Sequence, residues 1–252
     1  MAISLPIRSV QAAHAAWRLV ADMVYPPRCP SCQTYVAADG NFCAECFQKL
    51  RMIDAPMCAC CGTPFVIAVE ADTCCPECLD TPPAFDAARA ALVYDAVSAP
   101  LVTALKFHDQ WAGMDRYVAM MLRAGKPLLD GADMLVPVPL HWRRLLRRKF
   151  NQSALLAYGL SRVTDIPCAP EMLQRTIYTK PQMRMTREQR LTNVKRAFAV
   201  PELAYEMLRN KVVVLVDDVV TTGATVNACA KALKRSGAKE VRVIALARTV
   251  KE

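Results

Sequence analysis

Two carboxylates stand side by side at Asp217 and Asp218, at the end of an apolar run in the stretch VVVLVDDVVTTGAT (212–225). Burying a charge without a partner is costly. A pair of acids closing such a run therefore points to a polar crevice where something meets them. Carboxylates accept hydrogen bonds from sugar hydroxyls and attract a hydrated divalent cation. The residues that follow, Thr221, Thr222, Gly223, Ala224 and Thr225, are small or carry hydroxyls, and they lead into the helical pattern ATVNACAKALKRSG. A helix start offers unpaired backbone N–H groups and the positive end of the dipole, which suits a phosphate. Gly223 lets backbone approach a ligand closely. A phosphate beside paired hydroxyls describes a ribose 5-phosphate. The alternative phosphate-binding loop, a glycine-rich run ending in Lys-Ser/Thr, is missing from the sequence.

A second chemistry lies near the start of the chain. Cys29-x2-Cys32 is followed by Cys43-x2-Cys46, and Cys58-x2-Cys61 by Cys75-x2-Cys78. A Cys-x2-Cys turn sets two thiolates on one side of a knuckle, and two knuckles close a tetrahedral zinc site. With four thiolates and no open position, such sites are structural rather than catalytic. Cys60 and Cys74 adjoin proposed ligands and leave the register of the second site open, and an interleaved pairing of the four knuckles is an alternative. Cys168 and Cys229 stand alone and read as small core residues.

These residues need elements to position them. The chain has 252 residues, 54% hydrophobic and 22% charged, enough for one sizeable domain and a smaller one. No apolar stretch is long enough to span a membrane. Residues 1–25 form an amphipathic pattern interrupted by Arg8, His14, Arg18 and Asp22, unlike a signal peptide. Together with unpaired thiols, this places the protein in the cytoplasm. Residues 26–85 read as the cysteine-rich unit and 86–252 as the larger domain. There RAALVYD, ADMLVPVPL, KVVVLVDD and VRVIALART read as strands, and the segments between them include helical patterns. Strands apolar on both faces, alternating with helices, are the signature of a parallel α/β sheet. Ligands of such sheets sit beyond the carboxyl ends of the strands, where the acids fall. Gly237 reads as a helix stop.

The formal charge is +9, and two short segments hold all of it. Residues 141–153 (HWRRLLRRKFNQS) contain Arg143, Arg144, Arg147, Arg148 and Lys149 and no acid; residues 184–196 contain five basic residues and Glu188. Trp142 and Phe150 flank the first cluster, and cations mixed with aromatics suit single-stranded nucleic acid. A basic rim serving a small anionic ligand, or a solvated face, would carry the same charges.

The stretch VVLVDDVVTTGAT (213–225) resembles the phosphoribosyl pyrophosphate motif of the type I phosphoribosyltransferases. With the cysteine knuckles, LKF (105–107), VPVPL (136–140), RRKFNQ (147–152) and RLTN (190–193), the chain resembles the ComF family from about residue 20 onward. That resemblance implies a phosphoribosyltransferase-like parallel sheet behind an N-terminal double zinc ribbon, and a link to DNA uptake and natural transformation. It implies that Asp217 and Asp218 bind the ribose hydroxyls and that residues 221–225 hold the 5-phosphate. Pyrophosphate contacts would come from the turn at Pro139 with Arg143 and Arg144, and from Lys106. Asn151 and Gln152 would be active-site or hood residues, or else helix caps. Mg2+ would accompany phosphoribosyl pyrophosphate, and a helicase or recombination protein of DNA uptake would be a partner. Lys149 stands where the family usually has glycine, and Met183 where a small hydroxyl residue is usual. Members that act on hypoxanthine or guanine carry an acid where this chain has Thr221, which cannot accept a proton. Three functions follow: a ComF-like protein binding ribose phosphates and single-stranded DNA, an active phosphoribosyltransferase, or an inactive zinc-ribbon adaptor.

Overall fold

The structure, a computed structural model, describes residues 23, 26–38, 40–107, 113–140, 150–176 and 197–250. Apart from Met23, which is helical, the expected N-terminal helix over residues 1–25 lies outside them, as do the basic residues of both clusters, 141–149 and 184–196.

Four strands make the main sheet: β1 (Ala87–Val93), β2 (Met134–Pro137), β5 (Val212–Val220) and β6 (Glu240–Arg248), in the order β1-β6-β5-β2. Every neighbouring pair is parallel, as the two-sided apolar runs require. The pleat of β5 divides its residues between two cores. Val213 and Leu215 join one cluster with Val226, Cys229, Ala230 and Leu233, whereas Val214 and Val216 join the other with Leu101, Tyr117, Met121, Leu156 and Leu160. The second core is built by the helices α3 (Ala99–Phe107), α4 (Met114–Leu129) and α5 (Gln152–Thr164). The first is covered by α7 (Ala224–Arg235), which follows the single turn α6 (Tyr205–Leu208). As expected, Gly237 ends α7 with φ +102°. Cys229 is fully buried, as a small core residue should be, while Cys168 is half-buried against the second core.

A small antiparallel ladder, β3 (Gln174–Arg175) with β4 (Phe198–Ala199), stands apart from the main sheet. Thr176 donates its N–H to the Ala197 carbonyl at 2.9 Å. The chain therefore leaves for residues 177–196 and returns at neighbouring points.

The cysteine-rich unit carries two short helices, α1 (Ala44–Lys49) and α2 (Pro76–Asp80). It lies along the free edge of β1. Ala88 donates to the Cys60 carbonyl (2.7 Å), Val93 to Arg51 (2.9 Å), and Ile53 donates back to Ala91 (3.0 Å). Met52 forms an antiparallel bridge with Leu92. An open strand edge invites unwanted pairing, and this segment covers it. Gly62 is required here twice over. Its φ is +70°, and a Cβ would lie 2.4 Å from the Ala88 carbonyl oxygen.

Candidate ribose-phosphate site and metal centres

Asp217 and Asp218 lie within β5, two residues before its end rather than beyond it, and Asp217 pairs with Ala245 of β6. Successive strand residues point to opposite faces, and the two acids differ accordingly. Asp217 is buried, 7% exposed, and Asp218 is half-buried. The sequence reading, which left both acids in an open polar crevice, is corrected for Asp217. Its Oδ1 accepts the Ser153 hydroxyl at 3.1 Å and the Asp218 N–H at 3.0 Å. Burial first, and the Asp218 charge second, push the Asp217 carboxyl well above its usual range, while the Ser153 hydroxyl and the Asp218 amide draw it down. Burial also pushes the Cys229 thiol up, and the Asp217 charge adds to that.

The loop after β5 begins with two exposed threonines, Thr221 and Thr222. Thr249, the residue just after β6, holds it, donating its N–H to the Val220 carbonyl (3.0 Å) and its hydroxyl to the Thr221 carbonyl (3.1 Å). Gly223 is the N-cap of α7 with φ +73°, and a Cβ there would meet nothing within 4 Å. Glycine is favoured here by backbone conformation rather than by a close approach. Ala224 donates its N–H to the Thr222 hydroxyl at 3.4 Å. Ala224 and Thr225 form the first turn of α7, both half-buried. The start of a twelve-residue helix, open above Gly223, thus stands a few residues beyond the acids.

Of the other expected contacts, Asn151 caps α5. Its Oδ1 accepts the Ser153 N–H at 3.1 Å, and its Nδ2 donates to the Val138 carbonyl at 3.1 Å. The capping alternative is the geometry found. Gln152, 1% exposed, opens α5. Pro139 is half-buried just after β2. Lys106 lies on α3, but its side chain is outside the described set, as are Arg143, Arg144, Arg147, Arg148 and Lys149. Asn151 nevertheless fixes where the first basic segment attaches. It ties Val138 to the start of α5, and the next residue but one, Ser153, touches Asp217. Nothing in the sequence pattern pointed to Ser153. A serine in a helical pattern carries no signal until the fold brings the helix start against the strand.

The eight cysteines form two groups in chain order, Cys29, Cys32, Cys43, Cys46 and Cys58, Cys61, Cys75, Cys78. Within each group the sulfurs lie within 4.8 Å of one another, so the interleaved pairing does not occur, and Cys60 and Cys74 belong to neither group. The Cys32–Cys43 and Cys61–Cys75 sulfur separations are 3.6 and 3.7 Å. Zinc with Zn–S bonds of about 2.3 Å in a tetrahedron needs about 3.8 Å between sulfurs. Backbone amides prepare the donors: Cys61 and Cys75 direct their N–H groups to the Cys58 sulfur at 3.4 and 3.2 Å, and Cys46 does so to Cys43 at 3.4 Å. Burial pushes the Cys58 thiol up, but these amide bonds outweigh it and bring it down to about 6. Burial likewise raises Cys46 to about 12 and Cys75 to about 11, and here it prevails. Four thiols in one small sphere resist joint ionisation, and a dication removes that resistance. The donor set fits zinc.

The second cysteine group, or second knuckle, reaches the sheet beside the loop that opens α7. Arg89 donates to the Ala59 carbonyl at 3.0 Å, and Arg248, at the end of β6, donates to that of Cys61. A cavity of about 340 Å3 lies between knuckle and loop, lined by Cys61, Cys78, Thr222, Gly223 and Arg248 among others.

Comparison with known proteins matches this anatomy. Residues 20–79 fit a double zinc ribbon domain and residues 151–251 a phosphoribosyl transferase domain. The chain is 32% identical over 229 residues to competence protein F of Haemophilus influenzae, covering 88% of this chain and 96% of that one. This chain belongs to the ComF/YhgH family. It is 34% identical over 234 residues to the DNA utilization protein YhgH of Escherichia coli, covering 90% of this chain and all of that one. To the competence protein ComFC of Bacillus subtilis it is 24% identical over 210 residues, covering 79% and 80%. The fold is the parallel, helix-flanked sheet of a phosphoribosyltransferase, with cysteine clusters of zinc-ribbon type before it. Among the described residues no helix is long and apolar enough to cross a membrane.

Proposed function

We propose that this ComF/YhgH protein binds ribose 5-phosphate groups, phosphoribosyl pyrophosphate among them, and handles single-stranded DNA beside that site. The observation that carries the first part is the acid pair of β5 lying a few residues before the open start of α7. Asp217 and Asp218 accept the ribose hydroxyls, and the backbone and hydroxyls of residues 221–225 receive the 5-phosphate. Mg2+, when bound with the pyrophosphate, would neutralise its charge. Zinc in the two cysteine groups holds the ribbon against β1.

The second part rests on charge and placement. All of the net charge of +9 falls within residues 141–153 and 184–196. The first cluster is attached between Val138 and Asn151, next to the helix start that touches Asp217. The names of the relatives, a competence protein and a DNA utilization protein, agree with a DNA-directed role. Thr221 supplies no proton acceptor, which favours ligand binding over purine salvage. Calorimetric titration with phosphoribosyl pyrophosphate and Mg2+ tests the first part. Wild-type protein should bind, and Asp217→Ala with Asp218→Ala should lose binding entirely. Equal affinity in the double variant would refute the assignment.

A further inference from the structure

We infer that Ser153 is a positioning residue of the ribose site, holding the Asp217 carboxylate in the orientation that meets a sugar hydroxyl. The inference rests on the ribose 5-phosphate reading and deepens it. Ser153 is 4% exposed, and its hydroxyl donates to Asp217 Oδ1 at 3.1 Å from a different element, α5. Asp218 donates its own amide to the same oxygen at 3.0 Å. Two donors on Oδ1 satisfy that atom and fix the plane of the carboxyl group, and so the direction of its other oxygen, which a ligand hydroxyl would meet. A free carboxylate would rotate about its last torsion, which is broad and roughly two-fold. Removing that freedom before the ligand arrives is preorganisation, and it raises affinity by lowering the cost of ordering.

The helix start is itself well fixed. Asn151 accepts the Ser153 N–H and donates to Val138 beyond β2, so the serine cannot drift from the strand. Ser153 is not the N-cap, since its side chain accepts none of the helix N–H bonds recorded for α5. Its hydroxyl therefore serves Asp217 and not the helix. A purely structural role would predict that its loss weakens the fold and leaves the two ligands' relative affinities unchanged, whereas positioning predicts that its loss weakens contact with the sugar and spares contact with phosphate.

The test compares two probes, ribose 5-phosphate and inorganic phosphate, titrated against the full-length wild type, Ser153→Ala and Ser153→Thr. A hydrogen bond to a charged group is worth enough to change affinity by about tenfold or more. Ser153→Ala should weaken ribose 5-phosphate by that factor and leave inorganic phosphate within about twofold, while its melting temperature falls through the loss of one bond to a buried acid. Ser153→Thr, which restores a hydroxyl, should recover most of the loss. Ser153→Cys, a weaker donor of similar size, should fall between them and serves as the reduced-donor variant if alanine disturbs folding. Wild-type protein that does not bind ribose 5-phosphate defeats the underlying reading. Wild-type binding with Ser153→Ala unchanged, or with both probes weakened equally, overturns the role of Ser153 alone.

Discussion

Asp217 is an acid held where its charge is disfavoured. Burial and Asp218 raise its carboxyl well above the usual range, so the ionised form lowers the stability of the folded protein. A group raised in this way leaves stability intact below its unfolded value and removes it as pH rises through the folded value. The cost builds as pH rises from the ordinary carboxylate range toward the raised folded value. Asp217→Asn keeps an oxygen at Oδ1, where both the Ser153 and the Asp218 bonds arrive. We expect that variant to melt higher than wild type at pH 7, by on the order of a few degrees. The gain should shrink as pH falls toward the ordinary carboxylate range. Scanning calorimetry across pH reads this directly, and a variant less stable at pH 7 would show that the charge is compensated. At this scale the placement of the acids, the threonines and Gly223 on a strand, a loop and a helix start was legible from their residue types and order. The reason for Gly223 was not. Sequence proposed close approach, whereas the structure gives φ +73° with open space above it. Ser153 was silent for a different reason, since its role depends on a contact 64 residues away in the chain.

The elements themselves were read from periodicity with little error. β1, β2, β5, β6 and the helices α5 and α7 follow apolar patterns that tertiary contacts reinforce. β5 ran further than expected, through Val220, because the pairing with β6 continues to Arg248. What pattern could not supply is how the ribbon meets the sheet. The segment Arg51–Ile53 carries no strand signature, yet it pairs with β1 because that strand would otherwise be an open edge. The second knuckle adds carbonyls of Ala59, Cys60 and Cys61, bonded to Arg89, Ala88 and Arg248. The first knuckle reaches the domain through Ser31, whose hydroxyl donates to the Val97 carbonyl at 3.2 Å. The two metal sites should therefore differ. Cys58→Ser, which breaks the second group, should lower zinc content and speed hydrogen exchange at the Ala88 amide. Cys29→Ser should lower zinc content while leaving Ala88 protected. Equal exchange in the two variants would contradict the idea that the second knuckle supports the sheet edge.

Over the whole molecule, several described elements gather around the acid pair. The acid pair and the start of α7 lie toward the carboxyl end of β5, and Asn151 ties Val138 to the start of α5, which touches Asp217. The second knuckle and its cavity border the same loop. The magnitude of the basic excess and its two locations along the chain were legible in the sequence, but the closeness of Ser153, at the end of the first basic segment, to Asp217 emerges only from the contact between α5 and β5. A small ligand and a DNA strand drawn to this region would meet. The affinity for labelled single-stranded DNA, measured over a range of salt with and without saturating phosphoribosyl pyrophosphate and Mg2+, tests that most directly. Binding should weaken with salt, and the small ligand should weaken it further. Replacing Arg143, Arg144, Arg147 and Arg148 by alanine should flatten the logarithmic salt slope by about 3, at roughly 0.7 per phosphate contact. DNA affinity unmoved by the small ligand and unchanged in the quadruple variant would contradict the account.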